Sequence, residues 1–371
     1  MNKLSLYLHF PFCKAKCSYC DFYSLPRQEW IPFYEKALAD SFQAFSSLAP
    51  DRKVETVYFG GGTPSLATPD GIERIFTSLR ESFLLSENAE FTVEMNPESA
   101  SESVLTAFSK AGANRISFGM QSAIDGELEA LGRLHRFGEV KKAVSRAREA
   151  GFENISLDLM YGLPYQTCGS FRESLEKALS LDPKHLSFYL LTLSPEVPLA
   201  RFAHLLPSDE TVRKMYLFAS SFLRERGFEH YEISNAAKKG FHSRHNTVYW
   251  TGGDYLGIGP GAHSLVDGKR FFVKNGIEEF VSARDPLDRL SDFELLTAED
   301  RLMEYVMLSL RTARGISLNK VRDLADDDAV RRFREKFKLW EKHGLCVSTE
   351  EGFALTAEGF FVSNEIITEL I

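Results

Sequence analysis

The sequence contains no apolar run approaching the roughly 18 residues of a membrane span, and its opening, MNKLSLYLHFPFCKAKCSYC, places polar residues and cysteines where a signal peptide would be apolar. That reads as a cytoplasmic protein. Basic charge is not in excess: 44 Lys and Arg stand against 52 Asp and Glu, a net charge of -8. This excludes a chain built to coat nucleic acid, which needs a basic surface, and leaves only a local basic patch open. Cysteine is scarce as well, with five in 371 residues, too few for a disulfide scaffold. Three of the five fall between positions 13 and 20, a crowding that points to metal chemistry. Cys168 and Cys346 stand alone and read as small buried hydrophobes.

What the sequence does have is enough apolar content, 44%, for one large domain with one or two smaller units. Short β-rich segments recur over 4–9, 54–59, 90–95, 114–120, 154–160 and 186–192, separated by helix-length segments over 29–46, 69–83, 100–110, 139–150, 169–180 and 208–226. Such a βα repeat implies parallel strands. Parallel strands covered on both faces should be almost continuously apolar, yet here Leu4, Leu6 and Leu8 alternate with Ser5, Tyr7 and His9. Phe91, Val93 and Met95 alternate with Thr92 and Glu94, and the same holds over 116–121 and 155–159. If the apolar faces meet the helices, the polar faces line a shared interior, as in an open six-unit barrel with room for ligands. The alternative is an open sheet with one wetted face. The fold class is thus α/β, a partial parallel (βα)6 barrel over 1–236. A Gly- and aromatic-rich segment over 237–295 reads as loops and short strands without helical period. Over 296–371, helices at 298–313, 317–325 and 328–343 precede short strands near Val347 and Phe353 and a last helix, a winged-helix-like module. Its charged helix with Arg331, Arg332, Arg334, Lys336 and Lys338 reads as a solvated face rather than a DNA-binding one.

Cys13-x3-Cys17-x2-Cys20 follows the first strand on the side where barrel sites are built. Structural zinc wants four ligands, and the loop supplies three, with His9 back on the strand. Three thiolates on a 4Fe-4S cluster leave one iron open, whereas ferredoxin-type carriers have every iron bound. Spacing and placement favour the open-iron cluster over zinc.

Tyr7-x-His9-x-Pro11-Phe12-Cys13-x3-Cys17-x-Tyr19-Cys20 resembles the cluster signature of the radical SAM branch that contains oxygen-independent coproporphyrinogen III dehydrogenase and its heme-chaperone relatives. The resemblance continues through Phe59-Gly60-Gly61-Gly62-Thr63-Pro64, Glu94-Met95-Asn96-Pro97, Gln121-Ser122, Leu131-Gly132-Arg133-Leu134-His135 and Asp158-Leu159-Met160-Tyr161-Gly162-Leu163-Pro164. It implies a 4Fe-4S cluster on Cys13, Cys17 and Cys20, and SAM chelated to the open iron and cleavable to a 5'-deoxyadenosyl radical. By the same resemblance Tyr7, Tyr19, Gly61, Gly62, Thr63, Glu94, Gln121, Arg133 and Asp158 surround SAM. The glycines would allow close backbone approach toward the methionine end.

Within that branch two functions stay open, a radical enzyme that decarboxylates coproporphyrinogen III and a chaperone that binds and delivers heme. The dehydrogenase has an arm ahead of its cluster motif, where here Tyr7 lies close to the first residue, and another cysteine two positions after the third ligand, where here Phe22 stands. Both differences imply the chaperone. So does His245-Asn246-x2-Tyr249-Trp250, which resembles the chaperones' heme-associated motif and implies His245, Tyr249 and Trp250 as heme contacts. The resemblance further implies heme-accepting proteins, respiratory ones among them, as partners. It also implies an electron donor of the flavodoxin or ferredoxin type, pairing of subunits, and peripheral membrane contact during delivery.

Overall fold

In the computed structural model, which describes residues 3–291 and 293–371, the alternating segment forms strand β1 (Lys3–Phe10), with Leu4, Leu6 and Leu8 buried. Helix α1 (Ile31–Ser46) then crosses to β2 (Lys53–Gly61), α2 (Pro69–Ser82) to β3 (Leu84–Met95), and α3 (Glu102–Lys110) to β4 (Arg115–Gln121). Two helices, α4 (Asp125–Ala130) and α5 (Phe137–Glu149), lead to β5 (Asn154–Tyr161), and α6 (Cys168–Leu179) leads to β6 (His185–Leu190). Every neighbouring pair from β1 to β6 is parallel, which is why a helix must intervene each time. Helix starts are chemically marked. Thr68 caps α2 by accepting from the Gly71 N–H, with Pro69 at the first helical position. Ser208 caps α7 (Asp209–Glu225) in the same way, and Val212, Met215, Tyr216, Ala219, Phe222 and Leu223 bury one stripe of it, as their spacing predicts.

Past α7, β7 (Phe228–Glu232) and β8 (Asn235–Lys238) pair antiparallel beyond β6. The chain then forms α8 (Arg244–Trp250), β9 (Tyr255–Ile258), β10 (His263–Val266), β11 (Lys269–Phe272), α9 (Ile277–Ser282) and β12 (Glu294–Leu295). Because β9 lies parallel to β1, these strands widen the same sheet. Among the described residues it has twelve strands, in the order β12-β11-β10-β9-β1-β2-β3-β4-β5-β6-β8-β7. The segment read as loops and short strands therefore also holds two helices, α8 and α9. The seven residues of α8, capped by Ser243 through the Asn246 N–H, and the six of α9 each make about two turns, too few to show a period.

The last unit packs α10 (Ala298–Ser309), α11 (Leu318–Leu324), α12 (Asp327–Lys342), α13 (Ala357–Phe361) and α14 (Ser363–Leu370) around a small sheet. Its strands β13 (Ile316–Ser317), β14 (Cys346–Ser348) and β15 (Gly352–Leu355) run antiparallel, in the order β13-β15-β14. The helix expected over 298–313 stops at Ser309 because the following backbone bonds elsewhere. The Ile233 N–H donates to the Arg311 carbonyl at 2.8 Å, and the Ala313 N–H to that of Tyr231 at 2.9 Å.

The apolar strand faces pack on the helices, and the polar faces meet on the concave side. Thr56 donates to Ser5 at 2.8 Å, Ser117 to Asp158 at 2.9 Å, and Ser156 lies 2.8 Å from His185 Nδ1. Polar groups buried this way are tolerated because they satisfy one another. No helix among the described residues is long and apolar enough to cross a membrane.

Candidate functional site

The loop leaving β1 is pinched at its base. The Leu25 N–H donates to the Pro11 carbonyl at 2.8 Å and the Cys13 N–H to the Leu25 carbonyl at 3.1 Å, while Ser18 and Leu131 join the loop to the end of α4. The loop thereby turns Cys13, Cys17 and Cys20 into one cavity of about 510 Å³, at the C-terminal ends of β2 to β6. Gly61, Gly62, Thr63, Glu94, Gln121, Arg133, Asp158 and Tyr19 line the same hollow. All the residues carried over for SAM thus meet there except Tyr7, which lies next door. Asn96, Ser117 and Gly119 line it too. Asn96 was legible only as part of a motif and Ser117 only as a polar strand position, because neither spacing nor residue type says which neighbour each will bond.

All three thiols are free and half-buried. Burial raises Cys13 and Cys20 above an ordinary thiol, with a bond from the Thr63 hydroxyl, 3.4 Å from Cys13 Sγ, working the other way. A thiolate there needs a partner cation. Among the described residues no three His, Cys, Asp or Glu side chains converge closely enough for a single metal ion. Thiols spread around one hollow fit a multi-iron core better than a tetrahedral zinc.

The remaining groups are polar and tightly held. Glu94 accepts from the Tyr58 hydroxyl at 2.6 Å and from the Gly61 N–H at 3.0 Å. Burial still pushes its carboxyl up to about 7, and neighbouring Asp158 adds to that. Asp158 is likewise raised by burial, against the hydrogen bonds of Ser187 and Ser117. Arg133 donates to Asn96 Oδ1 at 2.7 Å and the Gly119 carbonyl at 2.8 Å, and reaches Cys17 Sγ at 3.5 Å. Burial works against its charge, but Tyr19 and Cys17 hold it above its ordinary value. Gln121 sits at φ 62, a left-handed conformation that a non-glycine adopts only under constraint.

The glycine run packs protein against protein. A Cβ on Gly62 would lie 2.6 Å from the Phe12 carbonyl and 2.8 Å from that of Phe10, and one on Gly61, at φ 109, would strike the His9 ring. The Gly62 N–H is already bonded to Phe10 O and the Gly61 N–H to Glu94, so neither is spare for a ligand. Gly62→Ala must therefore push the cysteine loop, at a cost of about 1–3 kcal/mol. Iron loading and the thermal midpoint should both fall, whereas Gly126→Ala, with open space around it, should leave both unchanged. Equal loading in the two variants would show the contact to be slack.

Beside this cavity lies a second lobe of about 820 Å³, sharing Asp21, Phe22, Gly61 and Glu94 with it. Its walls are rich in rings, among them Tyr7, Tyr23, Tyr249, Tyr255 and Phe272. Tyr249 faces it, but the other two residues implied for heme do not. His245 is buried beneath the wall, stacked on Tyr58 at 5.0 Å, with Nδ1 2.7 Å from the Thr56 hydroxyl and Nε2 2.8 Å from that of Tyr249. Burial, with Arg115 adding, pushes its imidazole down to about 3. Trp250 lines another cavity, of about 360 Å³, with Arg301, Tyr305 and Leu324. On a helix, neighbouring residues diverge by about 100°, and here that divergence turns Tyr249 and Trp250 onto different hollows. Cys168, read as a buried hydrophobe, is exposed at the first position of α6, while Cys346 is buried as expected.

Two family descriptions match the sequence, the radical SAM superfamily over residues 7–178 and the HemN C-terminal domain over 296–362. The heme chaperone HemW of Bacillus subtilis is 34% identical over 98% of this chain and 97% of that protein. The mitochondrial radical S-adenosyl methionine domain-containing protein 1 of Bos taurus is 32% identical, over 100% of this chain and 88% of its own. Among solved structures, coproporphyrinogen III oxidase (HemN) from Escherichia coli, a radical SAM enzyme, has a TM-score of 0.85 at 25% identity, covering 100% of this chain and 90% of that one.

Proposed function

The chain belongs to the radical SAM family, alongside the HemW heme chaperones that it matches along its length, and on that premise we propose that it binds heme and passes it to acceptor proteins. The observation that carries this reading is the ring-walled lobe opening directly beside the cysteine cavity. Aromatic side chains offer a planar macrocycle large contact at little entropic cost. In this reading Cys13, Cys17 and Cys20 hold a 4Fe-4S cluster, and Thr63 and Arg133, each within reach of a cysteine sulfur, steady its thiolates. When bound, the cluster and SAM supply one-electron chemistry. Glu94, Gln121 and Asp158 from β3, β4 and β5, and Arg133 from the connection between α4 and α5, orient SAM, Tyr19 closes the loop side, and Glu94 stands in the wall between cofactor and heme.

The test is anaerobic. With reconstituted cluster, reductant and SAM, the full chain should take up heme stoichiometrically and yield it to an apo-hemoprotein, read from the acceptor's absorption. Coproporphyrinogen III should stay unconverted. The likeness to coproporphyrinogen III oxidase makes turnover the rival outcome, and robust formation of protoporphyrinogen IX would replace the chaperone with the enzyme.

A pH dependence accompanies the proposed role of Glu94. An acid raised to about 7 keeps its proton below that pH, so a cationic ligand meets a neutral carboxyl there and a carboxylate above it. SAM affinity should strengthen by about tenfold as pH rises from roughly 6 to 8 and then level off. Glu94→Gln should flatten that part of the profile. An identical slope in both proteins would remove Glu94 from the site.

A further inference from the structure

Of the histidines near the ring-walled lobe, His9 and His245 are fully engaged. His9 has Nδ1 2.9 Å from the Tyr7 hydroxyl and Nε2 2.9 Å from the Tyr23 carbonyl, and its ring fills the space beside Gly61. His245 has both nitrogens bonded, as described above. To reach an iron, either would have to give up a buried hydrogen bond and strand its partner. His263 differs from both. It opens β10 on the lobe wall, its side chain is exposed, and among the described residues no group bonds either ring nitrogen. Its ring stacks on Phe272, directly opposite in the strand pair, at 5.1 Å and 27°. Partial burial and the nearby Arg270 keep its pKa below the ordinary histidine value, so at neutral pH the ring carries a free lone pair.

The backbone fixes where that ring stands. Gly259 and Gly261, at φ 104 and 84, reverse the chain between β9 and β10. A Cβ on Gly259 would lie 2.8 Å from the His9 carbonyl, so this turn is wedged against β1. The Ala262 N–H closes the turn on Gly259 O at 3.0 Å, and Ala262 O accepts from Val273 at 2.9 Å. An imidazole on so braced a strand end can hold an axial position without ordering a loop. Lys16, on the lobe's rim, offers a cation for a carboxylate-bearing edge.

We infer that His263 is the protein ligand to the heme iron, its ring projecting into the lobe while Tyr249 and Tyr255 cover the macrocycle. This rests on the heme-binding reading above. It is tested by titrating hemin, then reducing it anaerobically, with the full chain and its His263→Ala and His245→Ala variants, read by Soret position and by heme retention on gel filtration. His263→Ala should shift the Soret band and lose retention by at least tenfold, and added imidazole should restore the original spectrum. His245→Ala should keep the Soret position, with a lower thermal midpoint from the lost buried bonds. If wild type binds heme and His263→Ala keeps its spectrum, the assignment to His263 is wrong and the chaperone reading stands. If wild type takes up no heme, the chaperone reading itself falls, and this inference with it.

Discussion

Replacing any one of Cys13, Cys17 and Cys20 by Ala is expected to strip the reconstituted protein of nearly all its iron and sulfide. The three thiols share one hollow, and among the described residues no further Cys or His lines it, so two remaining thiolates cannot anchor the core. The same substitution at the other two cysteines should leave iron and sulfide near wild type. Cys168 is exposed on α6. Cys346 is buried in the C-terminal unit with its Sγ 3.3 Å from the Phe337 carbonyl, so Cys346→Ala should cost about 1 kcal/mol of stability and nothing in metal. Two analyses could overturn this. One zinc per chain without sulfide would install a mononuclear site, and cluster loss in Cys168→Ala would mean a fourth thiolate and no open iron.

Arg133→Met should keep the cluster and lose SAM. Arg133 is only 9% exposed and serves three partners at once, the Asn96 side chain, the Gly119 carbonyl and the Cys17 sulfur, with its Nε bonded to none of the described groups. Methionine roughly matches the volume but removes the charge-assisted hydrogen bond that Arg133 is proposed to give SAM, worth about 1.5–3 kcal/mol, or roughly ten- to hundredfold in affinity. Lysine should recover little, since one ammonium cannot span sites that a planar fork reaches together. Anaerobic equilibrium binding of SAM measures both variants. Wild-type affinity in Arg133→Met, with iron content intact, would reduce the residue to a structural brace.

Much of this was legible in the sequence because of how the strands are exposed. Leu4, Leu6 and Leu8 against Ser5, Tyr7 and His9 can only mean one oily face and one polar face, and the structure buries all of these but Tyr7, which is half-buried. The cysteine loop, the glycine run and the acidic strand ends were legible too, because their chemistry is written in residue type and spacing. The sheet's far side was not. Strands β9 to β12 have four residues or fewer, and what makes them one sheet with β1 is backbone pairing across some two hundred and fifty positions, which leaves no mark on side-chain periodicity. The histidines divide for a related reason. His245 sits in a motif and His263 in a glycine-rich turn, but which ring is free depends on Thr56 and Tyr249, brought there by the fold.

The pairing of β1 with both β2 and β9 also sets a timetable. During synthesis β1 emerges first and finds β2 quickly, but its other edge has no partner until residue 258 has left the ribosome. At about 5–20 residues per second, that edge waits roughly 10 to 40 s. The cysteine loop, whose base closes between Pro11, Cys13 and Leu25 and which is tied to Leu131 and Leu199, can close in that interval, although Tyr23 meets Gly276 only later. The ring-walled lobe cannot, since Tyr249, Tyr255, His263 and Phe272 arrive last. A nascent chain would thus acquire the means to hold iron and sulfide well before it could hold a macrocycle, and a stalled or truncated product would be competent for the first and not the second.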